Sequence, residues 1–287
     1  MAQDSSLLTW VVLTMGNRPD ELAASLRSLA DESKPGTEII VVVNDPGADI
    51  DVPAGVRVER QVSNLGVPGG RDIGLRLARS EYVGFLDDDA QLLASAQTIV
   101  DLFETESDVG VVALRLVDEA GETSRRHVPR PGMAGADRSG VVGTFLGGAC
   151  AIRREAYLEV GGYFTDLMYG HEEIELSWRM IDNGWSIRYL AAVCVFHPRT
   201  EVGRHTHGWR LTGRNRVLIA RRTLPVLVMV LHSLFWLVLG AARAPRGEVR
   251  RSYVSSWWQA WLLPVRRQPI RWRSVWKLGR IGRLPVA

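Results

Sequence analysis

An apolar run that ends in three consecutive carboxylates constrains this chain more than any other feature. Tyr82 to Leu86 is short, aromatic and aliphatic, which predicts a buried β-strand. Asp87, Asp88 and Asp89 follow directly, so the strand would present them at the carboxyl edge of a sheet, where open α/β folds bind ligands. Strand alternation predicts that Asp87 and Asp89 point to one side and Asp88 to the other.

Three adjacent carboxylates repel one another unless a cation lies among them. Hard oxygen ligands suit Mg²⁺ or Mn²⁺, with a substrate phosphate completing the coordination shell. A solvated acidic turn is the alternative interpretation, because runs of charge are usually exposed. Taken alone, the triplet leaves both interpretations open.

Apolar strands alternate with helical segments before the carboxylates. Leu7–Leu13, Glu38–Val43 and the shorter Val56–Gln61 are the predicted strands. Pro19 suits the first turn of a helix, and three leucines follow it at helical spacing: Leu22, Leu26 and Leu29. This β-α-β-α-β order predicts a parallel sheet with nucleotide chemistry at the strand ends.

A glycine-rich segment, Asn64–Gly74, lies just before the carboxylate strand. We expect it to be a loop in which a helix begins, that helix covering Asp72–Arg79. A glycine-rich loop at a helix N-terminus, carrying Arg71, predicts a pyrophosphate site. Its spacing matches neither the dinucleotide-binding Gly-x-Gly-x-x-Gly nor a Walker A loop, so a plain turn is the alternative.

The next segments predict a helix, a strand and a mobile loop. Leu92–Phe103 is the predicted helix and Val109–Val117 the strand. Residues 118–140 are polar and rich in Arg, Gly and Pro, and we interpret them as a flexible loop that closes over a substrate. Thr144–Arg154 begins with small residues and would then enter a helix ending at Gly161-Gly162, its glycines letting a sugar or acceptor lie near the backbone.

His171–Met180 is a second charged centre. On a helix, Glu175 and Arg179 would form an ion pair on a face shared with Glu172, while Glu173 would face elsewhere. A carboxylate at a helix start, away from the ion pairs, is well placed as a general base. An amphipathic surface helix with ordinary ion pairs is the alternative.

His197 follows another predicted strand, Ser186–Phe196. Neutral imidazole is a good ligand for ions of the Mn²⁺ type, and one histidine at a strand end can complete a carboxylate site. His205 and His207 are alternative candidates for this role.

Charge divides the chain into two parts. Residues 1–198 carry 17 Lys+Arg against 30 Asp+Glu, a net charge of −13, whereas residues 199–287 carry 18 against 2, a net charge of +16. Seven of the ten tryptophans lie in the second part. The sequence therefore predicts an acidic catalytic body with a basic, Trp-rich tail.

The tail contains a long apolar segment, Leu224–Ala242, in which only His232 is ionisable. Its length is close to that of a membrane span, but arginines flank both sides, whereas the positive-inside rule requires asymmetry. Insertion from one side, or a helix lying at the interface, would keep both flanks on one side. A buried core helix is the alternative.

Tryptophans beyond this segment are interleaved with Arg and Lys, which is typical of amphipathic segments on an anionic membrane surface. Basic and aromatic residues also suit nucleic acid, but nucleic-acid binders rarely carry such an apolar segment. We therefore expect a membrane partner and no nucleic acid. No secretory signal is evident at the N-terminus, and Cys150 and Cys194 fit a reducing compartment.

Taken in order, these motifs resemble the family 2 glycosyltransferases, inverting enzymes of the GT-A fold, over residues 7–215. Within that family the chain is most similar to bacterial rhamnosyl- or galactofuranosyl-type transferases of cell-envelope glycans. The motifs that carry the resemblance are Thr14–Arg18, Asn64–Gly74, Asp87–Asp89, Gly147–Arg154 with Gly161–Tyr163, Glu172–Arg179 and His197. The resemblance implies a GT-A domain over residues 1–215, followed by a membrane-associating segment over residues 216–287.

The resemblance also implies a role for each motif residue. Glu173 would be the general base that deprotonates the acceptor hydroxyl. A divalent metal, Mn²⁺ or Mg²⁺, would be held by Asp87, Asp89 and His197. The donor nucleotide-sugar would contact Thr14, Arg18, Asn44, Asp45, Asn64, Arg71 and Asp88, and the acceptor or sugar pocket would include Gly147, Gly148 and Glu172.

Two positions depart from the family pattern. The family usually has Glu-Asp where this chain has Glu172-Glu173, and Asp-Asp where it has Asn44-Asp45. No Gln-x-x-Arg-Trp motif is present, which predicts transfer of one or a few sugars instead of processive synthesis.

The leading hypothesis is a metal-dependent inverting transfer from a nucleotide-diphosphate sugar to a lipid-linked or envelope acceptor, at the cytoplasmic face of the membrane. A nucleotidyltransferase acting on sugar phosphates is an alternative, but it gives no role to Glu173 or the tail. A catalytically inactive glycan-binding membrane scaffold is another, although a binding relic does not need Asp87, Asp89, Glu173 and His197 together.

Overall fold

A nine-stranded mixed sheet forms the centre of the chain. The computed structural model describes residues 7–129, 135–199, 206–282 and 284–286. Along the sheet the strands follow the order β3-β2-β1-β4-β8-β6-β9-β5, and β7 pairs with β9. Their bounds are β1 Leu8–Thr14, β2 Glu38–Val43, β3 Arg57–Arg60, β4 Tyr82–Asp87, β5 Gln91–Leu92, β6 Val109–Val117, β7 Gly140–Val141, β8 Ala149–Arg153 and β9 Ser186–Phe196.

The first half of the sheet is parallel, as the sequence predicts. β3, β2, β1 and β4 pair in parallel register, so the carboxyl ends of β1, β2 and β4 meet at one edge. This edge brings together Thr14, Asn44 and Asp87, which are far apart in the sequence. The α/β class is confirmed.

The second half of the sheet is mixed. β8 is antiparallel to β4 and β6, and β5 and β7 are antiparallel to β9, while β6 and β9 are parallel. The sheet is therefore mixed, with parallel pairing in the first four strands and again between β6 and β9. Within the described residues, four strand pairs are parallel and four antiparallel.

Nine α-helices lie within the described residues, and three predicted helix boundaries are wrong. The segment that begins at Leu92 first forms β5, which pairs with β9, and its helix starts at Gln97. The small residues after Thr144 lead into β8 before a short helix. The bounds are α1 Pro19–Glu32, α2 Gly66–Leu77, α3 Gln97–Thr105, α4 Arg154–Glu159, α5 Glu172–Asp182, α6 Thr206–Thr223, α7 Val226–Arg243, α8 Glu248–Gln259 and α9 Trp272–Arg280.

The third correction concerns the glycine-rich segment, which is helical from Gly66 onward. A Cβ at Gly70 would overlap the side chain of Leu13, and one at Gly74 would overlap Val11. These glycines therefore let α2 pack closely on β1, and most of the segment is a helix instead of a phosphate-binding loop.

Each face of the sheet has its own apolar cluster. One contains alternate residues of the central strands, such as Trp10 and Leu86, with α1 and α3. The other contains Val11 and Phe85 together with α2, α5 and the C-terminal helices. Val217, Leu224, Trp257 and Leu278 belong to this second cluster. Helix α6 also crosses the predicted domain boundary at 215/216, and that division stays a prediction.

Helix α7 is long and apolar enough to cross a membrane, judged by length and composition only. Only 22% of its residues are buried against the rest of the protein. A single helix of this kind is weak evidence of membrane association.

Candidate functional site

Asp88 lies with Asp89 in the turn that follows β4, so the alternation predicted for a strand does not position these two carboxylates. The carboxylate of Asp88 accepts a hydrogen bond from Thr14 Oγ1 at 2.6 Å and pairs with Arg18 Nη2 at 2.7 Å. Burial raises the pKa of Asp88 to about 6, although Thr14 and Arg18 oppose that shift. Arg18 also pairs with Asp89. Asp88 thus ties the end of β4 to the end of β1.

Asp87, Asp89 and His197 form the cluster that the sequence predicts. One ligand atom from each lies within 4.8 Å of the others, and His197 Nε2 is 3.5 Å from Asp89 Oδ1. His197 Nδ1 lies 2.9 Å from the carbonyl oxygen of Pro198, which leaves Nε2 facing the carboxylates. Two carboxylates and one imidazole could hold a divalent cation, and the imidazole suits Mn²⁺ better than Mg²⁺.

The competing histidines are not positioned by the structure. His205 lies outside the described residues, and the side chain of His207 is not described either. His127, which the sequence analysis did not single out, lies with its ring centroid 6.3 Å from that of His197. Burial lowers the pKa of His127 to about 4, so the ring is neutral near pH 7. The described part of the polar 118–140 loop therefore reaches the cluster.

Arg71 lies on α2, not in a loop, and its guanidinium is buried at the centre of the site. Nη2 is 3.0 Å from Asp87 Oδ1, while Nη1 is 3.3 Å from Glu173 Oε1 and 3.8 Å from Glu172 Oε1. Burial opposes the charge, but the negative charge around the guanidinium, mainly that of Asp87 and including Glu173, outweighs it and raises the pKa of Arg71 above its ordinary value. Arg71 therefore links the β4 carboxylates to the start of α5.

Glu172 and Glu173 are adjacent but lie in different environments. Glu173 Oε1 accepts from the backbone N–H of Gly147 at 3.2 Å as well as from Arg71, whereas no described residue donates to Oε2. The predicted freedom of Glu173 from ion pairs is wrong, because Arg71 contacts its carboxylate. Glu172 is only 2% exposed, and burial together with Glu173 raises its pKa to about 8.

The ion pair within α5 is the predicted one. Glu175 and Arg179 pair within the helix, both buried, and Arg222 of α6 adds a second contact to Glu175 at 2.9 Å. Arg179 also donates to the carbonyl oxygens of Val160 and Gly162. This network fixes α5 against its neighbours.

Gly147 and Gly148 line the site because a side chain would not fit there. A Cβ at Gly148 would overlap the carboxylate of Asp87, and one at Gly147 would overlap Arg71. The carbonyl of Gly148 also accepts from the backbone N–H of Asp87 at 3.1 Å. Both glycines therefore set the position of the carboxylates and of Arg71.

Asn44 and Asn64 contact each other instead of presenting free amides. Asn44 Nδ2 donates to Asn64 Oδ1 and to the Gly66 carbonyl, and its Oδ1 accepts from the Leu65 N–H. Asn64 Oδ1 also accepts from the Gly66 N–H. Asp45 lies beside them and accepts from the N–H of Gly47 at 2.9 Å. Asn44 therefore joins the end of β2 to the start of α2.

A strained segment before α5 was missed by the sequence analysis. Met168 and His171 have positive φ angles of 62° and 78°, which non-glycine residues rarely adopt. Asn215 of α6 is fully buried, and its Nδ2 donates to the carbonyl oxygens of Leu167, Tyr169 and Gly170 at 2.9–3.0 Å. No sequence pattern reveals this contact, because it joins residues about 45 positions apart.

The sequence matches the model of one protein family, "Glycosyl transferase family 2", over residues 10–161, just over half of the chain. A "Probable N-acetylgalactosaminyltransferase 9" of Caenorhabditis elegans is 37% identical over 73 residues, which is 25% of this chain and 12% of that protein. An "Uncharacterized glycosyltransferase" of Haemophilus influenzae is 24% identical over 204 residues, 66% of this chain and 68% of that protein.

Solved structures share the fold at low sequence identity. "GalNAc-T7 with UDP, GalNAc and Mn2+" superposes with a TM-score of 0.63 at 15% identity, covering 87% of this chain and 54% of that one. "S. aureus TarS 1-349 in complex with UDP-GlcNAc" gives a TM-score of 0.55 at 14% identity, covering 88% and 72%. The chain thus spans about half the length of the first of these structures.

Proposed function

Because the chain belongs to glycosyl transferase family 2, we propose that it transfers a sugar from a nucleotide-diphosphate sugar to a hydroxyl group, with inversion at the anomeric carbon. The observation that carries the proposal is the position of Arg71, which contacts Asp87 at 3.0 Å and Glu173 at 3.3 Å. One guanidinium thus connects the carboxylates that suit a diphosphate-bound metal with a carboxylate that suits an acceptor.

Glu173 is the proposed general base. Its Oε1 is held by Arg71 and the Gly147 N–H, and its Oε2 is the oxygen that would take the proton of the acceptor hydroxyl. The acceptor oxygen would then bond to the anomeric carbon as the bond from that carbon to the diphosphate breaks on the opposite face. Glu172 is buried and mostly protonated at neutral pH, so it is the poorer base of the two.

Asp87, Asp89 and His197 would hold the divalent cation. When bound, such a cation offsets the negative charge that develops on the departing diphosphate. Thr14, Arg18 and Asp88 would lie next to the donor at the ends of β1 and β4, and Arg71 would face it from α2. Asp45 and Asn64 would contact the nucleotide, while Asn44 acts by holding Asn64 in place.

The proposed acceptor is lipid-linked or part of an envelope glycan, and the pocket for it would include Gly147, Gly148 and Glu172. A rhamnosyl- or galactofuranosyl-type reaction at the cytoplasmic face of the membrane agrees with the family motifs. Residues 216–287 would hold the enzyme there, because their Arg and Lys side chains complement anionic lipid.

A donor panel tests this proposal directly. Binding and hydrolysis of UDP- and dTDP-linked sugars would be measured with Mn²⁺, with Mg²⁺ and with EDTA. We expect one donor to bind only with metal, Asp89→Ala to abolish binding, and Glu173→Gln to keep binding while transfer falls about 10²- to 10⁴-fold. Glu155→Gln, an exposed carboxylate on α4, is the matched control and should change neither quantity.

Two outcomes would overturn the proposal. If no nucleotide-sugar binds with or without metal, the transferase function falls and the scaffold alternative takes its place. If a donor forms only from a sugar phosphate and a nucleoside triphosphate, with release of pyrophosphate, the chain is a nucleotidyltransferase.

A further inference from the structure

Helix α7 has an exposed apolar side, while the polar residues in its middle face inward among other buried side chains. Leu227, Leu231, Leu234 and Val238 recur at helical spacing and are all exposed, Val238 at 71%. The buried residues of α7, which face the protein, are Val228, His232, Ser233 and Gly240. A helix on the surface of a water-soluble protein has the opposite arrangement. We name the four exposed residues, together with Val230, the α7 stripe.

The inner side of α7 is fixed to the folded protein along most of its length. His232 Nδ1 lies 2.5 Å from the carbonyl oxygen of Pro285, and Trp257 Nε1 of α8 donates to the Ser233 carbonyl at 3.0 Å. Gly240 lies against Tyr253 so closely that a Cβ would overlap its ring. From Val228 to Gly240 these contacts extend over about 18 Å of helix.

These contacts are incompatible with a simple membrane span. Helix α6, which packs along α7, carries Arg216, whose guanidinium lies 3.5 Å from the ring centroid of Trp236 near the middle of α7, so a span would draw this charge into the hydrocarbon core. An orientation in the plane of the membrane exposes the α7 stripe to lipid and keeps Arg216 out of it.

We propose that α7 lies in the plane of one leaflet with its stripe in the acyl region. The inference rests on the membrane association of the proposed function and specifies its surface and depth, but it does not depend on sugar transfer. Trp258 and Trp276, exposed at 61% and 66%, are the proposed anchors at the level of the headgroups.

Charge indicates that the partner is an anionic bilayer. Residues 224–287 contain eleven Lys and Arg but one acidic residue, Glu248. In the described part of this segment, Arg271 with Asp182 is the only ion pair. Cations without protein partners, including the exposed Arg266 and Arg273, complement anionic headgroups.

Vesicle flotation of the full chain tests the surface. We expect binding to phosphatidylcholine vesicles that contain phosphatidylglycerol, weaker binding without it, and weakening by salt. Leu234→Glu should lower the affinity about tenfold or more, since it removes an apolar contact and adds a repelled charge. Val62→Glu, on an apolar residue that is 95% exposed outside the tail, is the matched control and should have no effect.

Cysteine labelling tests the orientation. Val226→Cys and Ala242→Cys place a thiol at each end of α7 on exposed positions. A membrane-impermeant maleimide added outside the vesicles should label both ends equally, after correction for the labelling of Cys194 in the wild type. Protection of one end until detergent is added would show a span and overturn the proposal.

Two further measurements distinguish a membrane surface from a subunit interface and from a general loss of folding. Each variant is assayed for donor binding without vesicles, so that loss of vesicle binding with intact donor binding concerns the membrane surface alone. If Leu234→Glu does not weaken vesicle binding, the stripe is not the membrane surface. If the wild type is a dimer without vesicles and Leu234→Glu makes it monomeric, the stripe is a subunit interface and the proposal falls.

Discussion

Glu172 and Glu173 show how strongly one helical position changes a carboxylate. Glu173 is anchored through one oxygen and open through the other, whereas Glu172 is buried with no hydrogen-bond partner for Oε2 among the described residues. Their order at the start of α5 therefore matters more than their shared chemistry. Burial makes Glu172 a protonated neighbour that adds little negative charge beside the proposed base.

The raised pKa of Glu172 predicts a pH-dependent stability. In the folded chain this carboxyl keeps its proton up to about pH 8, but in the unfolded chain it ionises above about pH 4.5. The folded state then binds more protons, so the free energy of unfolding falls as pH rises between these values. Glu172→Gln removes this loss.

We therefore expect the melting temperature of Glu172→Gln, relative to wild type, to increase steadily from pH 5 to pH 8. Differential scanning fluorimetry across this range measures the difference. Glu155→Gln, on an exposed carboxylate, is the control and should follow the wild type at every pH. A constant difference for Glu172→Gln would show that Glu172 is ionised in the folded state.

Gly148 is expected to control metal affinity without being a ligand. Its substitution by Ala would push the Asp87 carboxylate out of the cluster with Asp89 and His197. We expect Mn²⁺ to bind roughly 10- to 100-fold more weakly to Gly148→Ala, as measured by isothermal titration calorimetry. Gly47→Ala is the control, because its Cβ would lie 3.6 Å from Asp45 Oδ1, an ordinary distance. Unchanged Mn²⁺ affinity in Gly148→Ala would exclude Asp87 from the metal site.

Individual residues were predictable from sequence where local pattern alone fixes them. Asp87 ends a strand, as the apolar run before it predicts, and His197 follows a strand that ends at the same edge, whereas Asp88 and Asp89 lie in the turn after β4. Arg71 could not be placed correctly, because glycines usually indicate a loop and here serve the packing of α2 on β1.

At the scale of elements, the segment that leads into α5 is held between two helices. Gly66 of α2 lies against the Met168 backbone so closely that a Cβ would overlap it, and Val67 N–H donates to the Met168 carbonyl at 2.7 Å. Asn215 of α6 holds the other side. The strained backbone at Met168 and His171 persists because both neighbours fix it.

Removing the Asn215 amide should therefore impair transfer more than donor binding. Asn215→Ala removes the amide that bridges three carbonyls, of which Leu167 O also accepts from Arg214 and from the Tyr169 N–H. We expect the substitution to cost about 1–3 kcal/mol of stability and to lower kcat by loosening the start of α5. Steady-state kinetics and thermal unfolding measure the two effects.

Asn183→Ala is the matched control, since that amide donates to one carbonyl, Arg179 O, at the other end of α5. It should cost less than about 1 kcal/mol and leave kcat unchanged. Asn215→Asp keeps the shape but turns an oxygen toward the same carbonyls, so it should be at least as harmful as Ala. If Asn215→Ala retains wild-type kcat, the hydrogen bonds of Asn215 do not position α5.

The elements that the sequence predicted best are the long apolar strands. β2, β6 and β9 begin and end as expected, because continuous aliphatic runs bounded by polar residues leave little freedom. β5 has two residues, and β8 belongs to a segment of small residues. Their pairing with distant strands decides their structure, and no local pattern contains that information.

At the scale of the whole molecule, the basic C-terminal helices are part of the core that supports the site. The ring of Trp178 on α5 lies 5.8 Å from His232 of α7, and Arg222 of α6 lies 4.6 Å above the ring of Phe164. Asp182, the last residue of α5, accepts hydrogen bonds from Arg271 and Ser274. The two parts differ in charge and in proposed role, but they stabilise each other.

This packing predicts that the chain does not fold when it is cut at the predicted boundary. A protein of residues 1–215 would expose Phe164 and Trp178, each worth about 1.5–3 kcal/mol when buried, against a typical total stability of about 5–15 kcal/mol. It would also end α6 at Asn215 and remove the Arg222 contact to Glu175.

We therefore expect residues 1–215 to be insoluble or to melt far below the full chain, which should unfold in one transition. A chain of residues 1–269 keeps α6 to α8 but loses α9, the buried Ile270 and the Pro285 contact to His232, so it should fold with a lower melting temperature. Scanning calorimetry measures the melting temperatures of the three chains, and a binding assay measures their affinity for the donor. Full donor affinity in residues 1–215 would establish that segment as an independent domain.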